Sequence, residues 1–589
     1  MDTSKSTMYD WHTLPWRKLE RAVFKLQTRI YQASRQGDVE AVHKLQRLLI
    51  HSRSAAILAV RRVAQDNRGK RTAGIDGVAS LTDRQKLSLV EAIHRLPLVF
   101  KAKPVRRVWI PKPGKDEKRP LGIPVMEDRA RQALAKMALE PEWEAKFEPT
   151  SFGFRPGRSR HDAVETIFRQ MLRVSKYVLD ADIAKCFDRI NHEALLNKLG
   201  TFPSMRRAIK AWLKAGIMDG GNLFPVDEGT PQGGVISPLL ANIALHGLGT
   251  AVGNAFQKRK FPNGAHHKAI PWKPAVIRYA DDFVILHRDL DALKQAQQIA
   301  AEWLKGMGLE MKPSKTRITH TLNEIDGPVG FDFLGFNFRQ YPRGKNRCLW
   351  NHGERVGFTT NVRPSSTSQK RFLEKIRDVL HSKRTATQTG LIQVLNPIIR
   401  GWGNGFSSVV SRDIFEKMDS LIFEKLWAWA RSRHPNKNHH WIAHKYWLMG
   451  GKQKWRFGNR TIWLRRLKDI PIRRHIVVQS HRSPYDGDAI YWSTRAGKHP
   501  DLPWSLARLL KAQGGCCQVC GLYFKPDDQL IAVRLYVGQS GSTVLVHEHC
   551  RESLDGRRVM TTHHLTEEPD EGKLSRPVLK TSVNGDAHA

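Results

Sequence analysis

The feature that most constrains this chain is the run Tyr279-Ala280-Asp281-Asp282, which lies between two short apolar stretches. Both stretches, 275–277 and 283–286, are rich in β-branched residues and predict strands, so the run is expected at the turn of a hairpin. A turn lets both carboxylates approach one site, whereas neighbours in a straight strand point to opposite faces. A bound cation relieves their repulsion. Hard cations prefer oxygen ligands, so the run predicts Mg²⁺ binding, with an ordinary polar turn as the alternative.

The net charge indicates a polyanionic partner. The 589 residues suffice for several domains and include 97 Lys and Arg against 56 Asp and Glu, which gives a formal charge of +41. A chain this basic repels itself unless a polyanion binds. Because 17 Trp, 23 Phe and 10 Tyr lie among the cations, nucleic acid is the leading candidate and a membrane surface the weaker one.

The sequence predicts neither a membrane span nor a disulfide framework. No apolar run approaches the roughly 20 residues that a spanning helix needs, and residues 1–16 lack the apolar core of a signal peptide. Only six Cys occur, four of them between Cys516 and Cys550. This distribution favours a reducing compartment, the bacterial cytoplasm, and one metal site.

The first third of the chain combines helical periodicity with a basic hairpin. Apolar residues recur at helical spacing through 14–66, which fits either a solvated bundle or an RNA-facing extension. Residues 106–124 then predict two strands joined by a turn. Lys112 and Arg119 lie on opposite arms, where two cations can clamp a triphosphate; ordinary surface cations are the alternative.

Two further stretches carry candidate functional residues. The loop 151–159, SFGFRPGRS, combines aromatic residues, glycines and two Arg, and predicts a surface that grips a nucleic-acid backbone. The strand predicted at 177–183 contains two acids, which are costly in an apolar strand unless they have a role. Because side chains alternate along a strand, Asp180 and Asp182 share one face, and spacing alone does not choose between them.

The middle of the chain adds a glycine-rich turn and two lysines. GTPQGGVISP, residues 229–238, leads into an apolar helix whose first N–H groups favour a phosphate or a nucleotide. A helix is predicted from about 289 to 307. Lys312 and Lys315 follow it, and residues 331–336 predict another hairpin.

The order of these motifs resembles the fingers and palm of group II intron reverse transcriptases. The resemblance covers about 15–480 and is strongest over 105–340, and it depends on a basic hairpin followed by SFGFRPGRS, DADIAKCFD, GTPQGGVISP, YADD, PSKT and FDFLGF. It implies an enzyme, an RNA-directed DNA polymerase. The family's first catalytic Asp opens a D-I-x-x-x-F pattern, which favours Asp182. With Asp281 and Asp282 it implies a triad that holds two Mg²⁺ ions.

The resemblance also implies contacts to the incoming dNTP. Lys112 and Arg119 take the clamp positions, although the loop between them is about one residue longer than the family pattern. Gln232 packs at the nucleotide, and Lys315 is the cation near the pyrophosphate and a proton donor. Phe187 lies where a ribose 2′-OH would project, so its ring favours dNTPs; a core Phe at a strand end is the alternative.

The region beyond residue 360 resembles the rest of that family. Residues 360–440 predict three helices with two apolar stripes, and LNPIIRGWGN at 395–404 resembles the maturase segment (domain X), which serves as thumb and binds intron RNA. Residues 441–500 begin with a basic block that carries four Trp. The block matches the family's DNA-binding region and is expected to contact phosphates rather than bases.

The C-terminal region departs from the family pattern. Cys517, Cys520, His547 and Cys550 have zinc-knuckle spacing. Family members with an HNH endonuclease share this scaffold, but their His-His pair, Asn and final His fall here on Arg534-Leu535, near Ser542 and on Arg551. The sequence therefore predicts a degenerate endonuclease module that has lost DNA cleavage, with His549 as a replacement metal ligand only.

Together these patterns predict an α+β multidomain protein with the right-hand polymerase fold of fingers, palm and helical thumb. The expected division is an N-terminal helical extension (1–100), the fingers and palm (101–345), and the maturase domain with the thumb (360–440). A DNA-binding region (441–500), a degenerate HNH-type module with zinc-knuckle-like spacing (501–555) and a disordered tail (556–589) follow. The expected partners are intron RNA, target and primer DNA and dNTPs, and no membrane. The alternatives are a non-enzymatic splicing maturase and a reverse transcriptase recruited to host defence or repair.

Overall fold

The computed structural model describes residues 10–561 with several short gaps. The gaps are 112–117, 227, 231, 257–271, 326, 345–348, 352–353, 451–454, 480, 500–501, 503, 526–527, 538–539, 553 and 555–558. The tail predicted to be disordered therefore falls almost entirely outside the described residues, as does Lys112.

Four helices open the described chain, and the first three lie in the stretch 14–66 whose periodicity predicts helices. They are α1 (Trp16–Gln36), α2 (Val39–Ile50), α3 (Arg53–Arg61) and α4 (Asp83–Arg95). Gly37 ends α1 in a left-handed conformation with φ +77°, which glycine adopts without steric cost. Asp38 then caps α2 by accepting a hydrogen bond from the Ala41 N–H at 2.9 Å. These two local signals fix the turn between the helices.

A four-stranded sheet with order β2-β1-β4-β5 follows. Its first two strands are the predicted basic hairpin, in which Ile110 pairs with Arg119. The elements of this part of the chain are β1 (Val105–Pro111), β2 (Lys118–Ile123), α5 (Met126–Lys146), α6 (Arg160–Met171), β3 (Tyr177–Asp182), α7 (Cys186–Arg189), α8 (His192–Leu199), α9 (Pro203–Leu213), β4 (Ile217–Asp219) and β5 (Asn222–Phe224).

A second four-stranded sheet, the central sheet, has the order β6-β7-β3-β8 with all neighbours antiparallel. The elements around it are α10 (Ser237–Leu245), α11 (Leu248–Asn254), β6 (Ala275–Tyr279), β7 (Asp282–His287), α12 (Leu290–Lys305) and β8 (Arg317–His320). The predicted hairpin around Asp281 and Asp282 is confirmed as the β6–β7 hairpin. The strand predicted at 177–183 is β3, which lies between β7 and β8.

Two apolar cores lie on opposite faces of the central sheet. Leu179 and Ala181 of β3 point into the first core, with the N-terminal helices and α8–α12. Val178 points into the second core, with α6 and the helices that follow the sheet. Successive side chains of a strand alternate between faces. Because β3 buries apolar side chains on both of its faces, it is held between two layers of helices.

Three helices lie between residues 366 and 433, as the apolar stripes predict, and a fourth, shorter one follows them. The elements of this region are β9 (Phe331–Phe333), β10 (Phe336–Pro342), β11 (Trp350–Asn351), β12 (Glu354–Arg355), β13 (Phe358–Pro364), α13 (Ser366–Ser382), α14 (Gln388–Phe406), α15 (Arg412–Arg433), α16 (His439–Tyr446), β14 (Trp447–Leu448) and β15 (Arg456–Phe457). Leu391, Leu395 and Ile399 of α14 are fully buried at helical spacing, so the stripe serves as core.

The last described elements form a small module with its own core. They are α17 (Ala489–Gly497), α18 (Trp504–Ala512), β16 (Ile531–Val537), β17 (Ser540–Val546), α19 (Glu548–Glu552) and β18 (Val559–Thr561). Leu506, Phe524, Val533 and Leu545 are buried together within it. Across the whole described chain, no helix has both the length and the apolar character to cross a membrane.

A buried ionic cluster joins α6 to the segment that follows α16. Asp162 of α6 is fully buried and accepts hydrogen bonds from His475 Nε2 at 3.0 Å, Arg495 Nη2 at 2.5 Å and the Val478 N–H at 2.9 Å. Burial alone would raise the pKa of Asp162, but the hydrogen bond and charge of His475, together with Arg495, hold the pKa well below its usual 3.8.

Replacement of Asp162 by Asn is expected to lower the free energy of unfolding by about 3–5 kcal/mol, because it leaves Arg495 without its buried counter-ion. Urea titration followed by Trp fluorescence measures the loss. Since the folded pKa is depressed, the stabilisation is fully present above about pH 4 and is lost as the pH falls through the folded pKa.

Glu165→Gln on the same helix is the matched control. Its ion pair with Arg169, at 3.1 Å, lies at the surface and contributes only about 0–1 kcal/mol. Equal effects of the two substitutions would show that the Asp162 cluster does not hold these segments together.

Candidate active site

The β6–β7 hairpin places two acidic residues at its turn. Tyr279 pairs with Asp282, so Ala280 and Asp281 are the connecting residues. Ala280 has a φ of +56°, the conformation that a tight hairpin turn requires at its first position. On the neighbouring strand β3, Asp182 pairs directly with Asp282. The predicted triad therefore meets at one end of the central sheet.

Asp180 and Asp182 share a face of β3, as the alternation predicts, but they have different partners. Asp180 forms an ion pair with Arg317 of β8 at 3.2 Å. Asp182 forms an ion pair with Lys315 and lies opposite Asp282. Only Asp182 thus lies beside the Asp281–Asp282 turn, which is where a third carboxylate could share a cation.

Burial and mutual repulsion oppose the ionisation of the carboxylates at the turn. Burial raises the pKa of Asp282 to about 8, and the charges of Asp281 and Asp182 add to the effect. Burial and the charge of Asp182 also raise the pKa of Asp281. Oxygen ligands that repel one another in this way fit a hard divalent cation, which removes the repulsion.

Two cations approach the same acids. Burial opposes the charge of Lys315, but its hydrogen bond to Asp182 and the nearby acids raise the pKa of this lysine. Arg119, exposed on β2, is close enough for its charge to lower the pKa of Asp281, although burial dominates there. The structure therefore brings the predicted residues Lys315 and Arg119 to the triad.

The remaining predicted contacts lie between β2 and α7. The Gln232 carbonyl accepts a hydrogen bond from the Gly122 N–H of β2 at 2.6 Å, which ties the basic hairpin to the glycine-rich turn. The Phe187 carbonyl accepts from the Thr230 N–H at 2.5 Å. The Phe187 ring is partly exposed and packs on the first core. Lys112 is outside the described residues, so its place in the clamp stays a prediction.

The prediction that the loop 151–159 grips a nucleic-acid backbone is wrong for its two arginines. Arg155 is buried in an ion pair with Glu144, in which both side chains are 1% exposed. Arg158 donates to the carbonyls of Pro149 and Arg482 at 3.0 and 3.3 Å. The loop folds inward because these buried partners hold both guanidinium groups.

The same loop supports the turn at Ala280 and Asp281, the proposed catalytic turn, instead. A Cβ at Gly153 would lie 2.2 Å from the Ala280 nitrogen, so the two backbones are in close contact. Asn242 of α10 donates from Nδ2 to the Gly153 carbonyl at 2.8 Å. Arg278 donates from Nη1 to Asn242 Oδ1 and to the Ala280 carbonyl, each at 2.9 Å.

Asn242 and Arg278 were missed in the sequence. Both are polar residues inside otherwise apolar elements, and both are at most 2% exposed. That placement is a usable signal, because a buried polar group is costly unless it is hydrogen-bonded. The two side chains join the loop, α10 and the catalytic turn in one hydrogen-bonded network.

Comparisons with known proteins agree with this geometry. Residues 110–338 match the model for "Reverse transcriptase (RNA-dependent DNA polymerase)", residues 11–93 match "N-terminal domain of reverse transcriptase", and residues 369–447 match "Group II intron, maturase-specific domain". Protein YkfC of Escherichia coli is 34% identical over 323 residues, which are 50% of this chain and 82% of YkfC. The chain belongs to the group II intron-encoded reverse transcriptases.

Two further relatives extend the similarity. The group II intron-encoded protein LtrA of Lactococcus lactis is 30% identical over 329 residues, 46% of this chain and 53% of LtrA. Maturase-like protein 1 of Euglena gracilis is 25% identical over 392 residues, 66% of this chain and 75% of the relative. The match therefore spans about half the length of LtrA.

The family assignment confirms several predictions. The chain is a reverse transcriptase, an RNA-directed DNA polymerase joined to a maturase domain, and its mixed helices and sheets have the right-hand polymerase fold of this domain. Reverse transcriptase domains generally use divalent metal ions, and maturase domains bind intron RNA. The enzymatic interpretation is thus confirmed over the non-enzymatic one.

A basic cavity of about 810 Å³ lies between α14 of the maturase domain and the segment 456–473. Arg400, Arg456, Arg465, Arg466 and Arg473 line it together with Trp463. Of the four tryptophans predicted for the basic block, Trp441, Trp455 and Trp463 are 37–42% exposed. Trp447 is buried and serves as core. The arginines and the exposed ring of Trp463 in the same cavity suit phosphates and unstacked bases.

The four predicted zinc ligands meet in the C-terminal module of this reverse transcriptase. The ligand atoms of Cys517, Cys520, His547 and Cys550 all lie within 4.8 Å of one another. His547 Nδ1 is 3.3 Å from Cys520 Sγ, and its Nε2 is 3.3 Å from Asp528 Oδ2. A carboxylate behind a histidine ligand fixes the orientation of the ring, so the set fits a tetrahedral zinc ion.

Of the positions that correspond to the endonuclease pattern in the sequence, Arg534, Leu535 and Ser542 lie on the adjacent hairpin, and Arg551 lies on α19. Leu535 of β16 pairs with Ser542 of β17, and Arg534 pairs with Thr543. His549 stacks on His547 with ring centroids 5.0 Å apart and contacts the N-terminal helix α1. There it lies 3.7 Å from Glu20 Oε1 and packs on Trp16 with ring centroids 6.2 Å apart.

Gly153→Ala tests the support of the catalytic turn. Because the new Cβ would meet the Ala280 backbone at 2.2 Å, it is expected to displace the turn and to lower kcat for dNTP addition roughly 100-fold. The measurement is single-nucleotide primer extension. Gly344→Ala is the control, because a Cβ there meets no atom within 4 Å. Equal activity of the two variants would contradict the expectation.

Proposed function

We propose that Asp182, Asp281 and Asp282 form the catalytic centre that adds dNTPs to a primer 3′-OH on an RNA template. The observation that supports this is the direct pairing of Asp182 with Asp282 next to the turn that carries Asp281. Two Mg²⁺ ions held by these carboxylates would activate the 3′-OH and neutralise the leaving pyrophosphate. The protein residues contribute position and charge to an in-line phosphoryl transfer.

The surrounding residues bind the incoming nucleotide. Arg119, with Lys112 as its predicted partner, contacts the triphosphate. Gln232 packs at the nucleotide, and its own backbone carbonyl anchors Gly122. Lys315 lies on Asp182 and supplies a proton to the leaving pyrophosphate. Phe187 packs against the sugar, where its ring excludes a ribose 2′-OH, so the product is DNA.

The proposal is tested by primer extension on an RNA template with Mg²⁺, with Asp182→Asn compared to Asp180→Asn. Both substitutions remove a carboxylate from the same face of β3, but only Asp182 lies opposite Asp282. Asp182→Asn is expected to lose roughly 1,000-fold in rate, since several kcal/mol of charge stabilisation are removed. Asp180→Asn is expected to stay within about 10-fold.

Two outcomes would contradict the proposal. Full activity of Asp182→Asn would remove this residue from the centre. A wild-type chain that folds and binds RNA tightly without extending a primer would exclude polymerisation at this site altogether.

We propose further that the chain is the maturase of a mobile group II intron. The maturase domain and the arginine-lined cavity beside it bind the intron RNA and assist splicing. The basic region 441–500 holds target and primer DNA by phosphate contacts. The formal charge of +41 supports a location on nucleic acid. We place the protein at the nucleoid of the bacterial cytoplasm.

We also propose that the C-terminal module binds zinc but does not cut DNA. The Cys and His ligands converge, whereas Arg534, Leu535 and Ser542 hold positions where a nuclease needs a general base and a metal ligand. These side chains offer neither a general base nor a metal ligand. The module therefore keeps the scaffold of an HNH-type endonuclease without its chemistry.

The loss of cleavage has a direct test. Incubation of the protein and intron RNA with an end-labelled target duplex is expected to give no protein-dependent second-strand cut. A Cys517→Ser variant, which lacks a metal ligand, serves as the matched background. A cut that appears with the wild-type chain and disappears with this variant would refute the proposal.

A further inference from the structure

Phe154 lies next to Phe187, the residue assigned to sugar selection under the proposed function. The two ring centroids are 6.0 Å apart and the rings are inclined by 79°, an edge-to-face arrangement that aromatic pairs favour. Phe187 packs on the first core and Phe154 on the second, and both rings are partly exposed. The contact therefore spans the two cores beside the catalytic turn.

The backbone at Phe154 has an unusual conformation. Its φ of +59° lies in the left-handed region, which a bulky L-residue adopts only when its surroundings impose it. Such strain is found mostly at functional sites. Glycine adopts this conformation without steric cost, yet the position carries a phenylalanine. The aromatic side chain therefore occupies a position whose backbone conformation favours glycine.

Both neighbours of Phe154 are fixed by buried hydrogen bonds. The Gly153 carbonyl accepts from Asn242 Nδ2 at 2.8 Å. On the other side, the Arg155 guanidinium donates to both Glu144 oxygens, at 2.8 and 2.9 Å, and to the Glu148 carbonyl at 2.8 Å. The loop can therefore hold the Phe154 ring in one place.

The backbone of Phe187 is held from the opposite side. Its carbonyl accepts from the Thr230 N–H at 2.5 Å, and a Cβ at Gly229 would lie 2.5 Å from the same oxygen. These contacts position the Cα but leave rotation of the ring about its side-chain bonds open. The edge of Phe154 limits that rotation.

We propose that Phe154 is a positioning residue for sugar selection. It holds the ring of Phe187 where a ribose 2′-OH would collide with it, so the preference for dNTPs over NTPs depends on both aromatic residues. The inference rests on the proposed role of Phe187 and adds a second residue, from a loop outside the strand that carries the catalytic Asp182.

The test is single-nucleotide incorporation with dNTP and with NTP on an RNA template. Phe154→Leu is expected to lower the ratio of kcat/KM for dNTP to that for NTP roughly 10-fold, mainly through a lower KM for NTP, with little change in kcat for dNTP. Phe154→Tyr keeps the ring edge and is expected to retain the wild-type ratio. Phe187→Ala is the positive control and is expected to lower the ratio further.

A double-mutant cycle separates positioning from an independent contact. Phe154→Leu combined with Phe187→Ala is expected to discriminate no worse than Phe187→Ala alone, because Phe154 acts through the Phe187 ring. Additive losses would overturn the inference, and so would an unchanged ratio in Phe154→Leu or equal losses with both nucleotides. If Phe187→Ala itself keeps the wild-type ratio, the proposed role of Phe187 fails instead.

Discussion

The antiparallel pairing of β3 with β7 is the constraint on which the active site depends. It sets Asp182 opposite Asp282, and a shift of one residue would turn every side chain of β3 to the other face. The first core opposes such a shift, because it would bring Asp180 and Asp182 to the face that Leu179 and Ala181 now fill. The stability of the central sheet and the geometry of the three assembled acids are therefore set by the same packing.

The three assembled carboxylates repel one another, and the surrounding structure offsets this electrostatic cost. The raised pKa of Asp282, about 8, expresses how strongly burial and the neighbouring acids oppose its charge. Lys315 neutralises Asp182, and Arg278 holds the turn through the Ala280 carbonyl at 2.9 Å. The turn is thus maintained by cations around it and by close backbone packing against Gly153. A site preorganised in this way is ready for a divalent cation without a large rearrangement.

The sequence predicts the elements of the site better than their contacts. Strand alternation places Asp180 and Asp182 on one face, and the Cys and His spacing predicts the ligand cluster. Local patterns do not show which strand lies beside which. The ion pair of Asp180 with Arg317 distinguishes Asp180 from Asp182. It depends on the pairing of β3 with β8, which local patterns do not predict. Pairings between distant segments depend on the whole fold.

The loop 151–159 shows the same limit for charged residues. Its arginines fit a nucleic-acid surface by composition, but their carboxylate and carbonyl partners come from helix α5, the short stretch after it, and the segment near 482. The sequence shows that an arginine is charged, but it does not show whether the fold places a buried carboxylate beside it. Polar residues inside apolar elements, such as Asn242 and Arg278, are the more reliable indicators here.

The two ends of the described chain meet in a further buried cluster. Glu20 of α1 accepts from Arg61 Nη2 at 2.8 Å and lies 3.7 Å from Lys525 Nζ and from His549 Nε2 in the C-terminal module. Burial opposes the charge of Glu20, but Lys525 and Arg61 lower its pKa. A carboxylate kept ionised in this environment needs both cations, since removal of one partner leaves a buried charge. The C-terminal module is therefore joined to the first helix of the reverse transcriptase by an ionic contact.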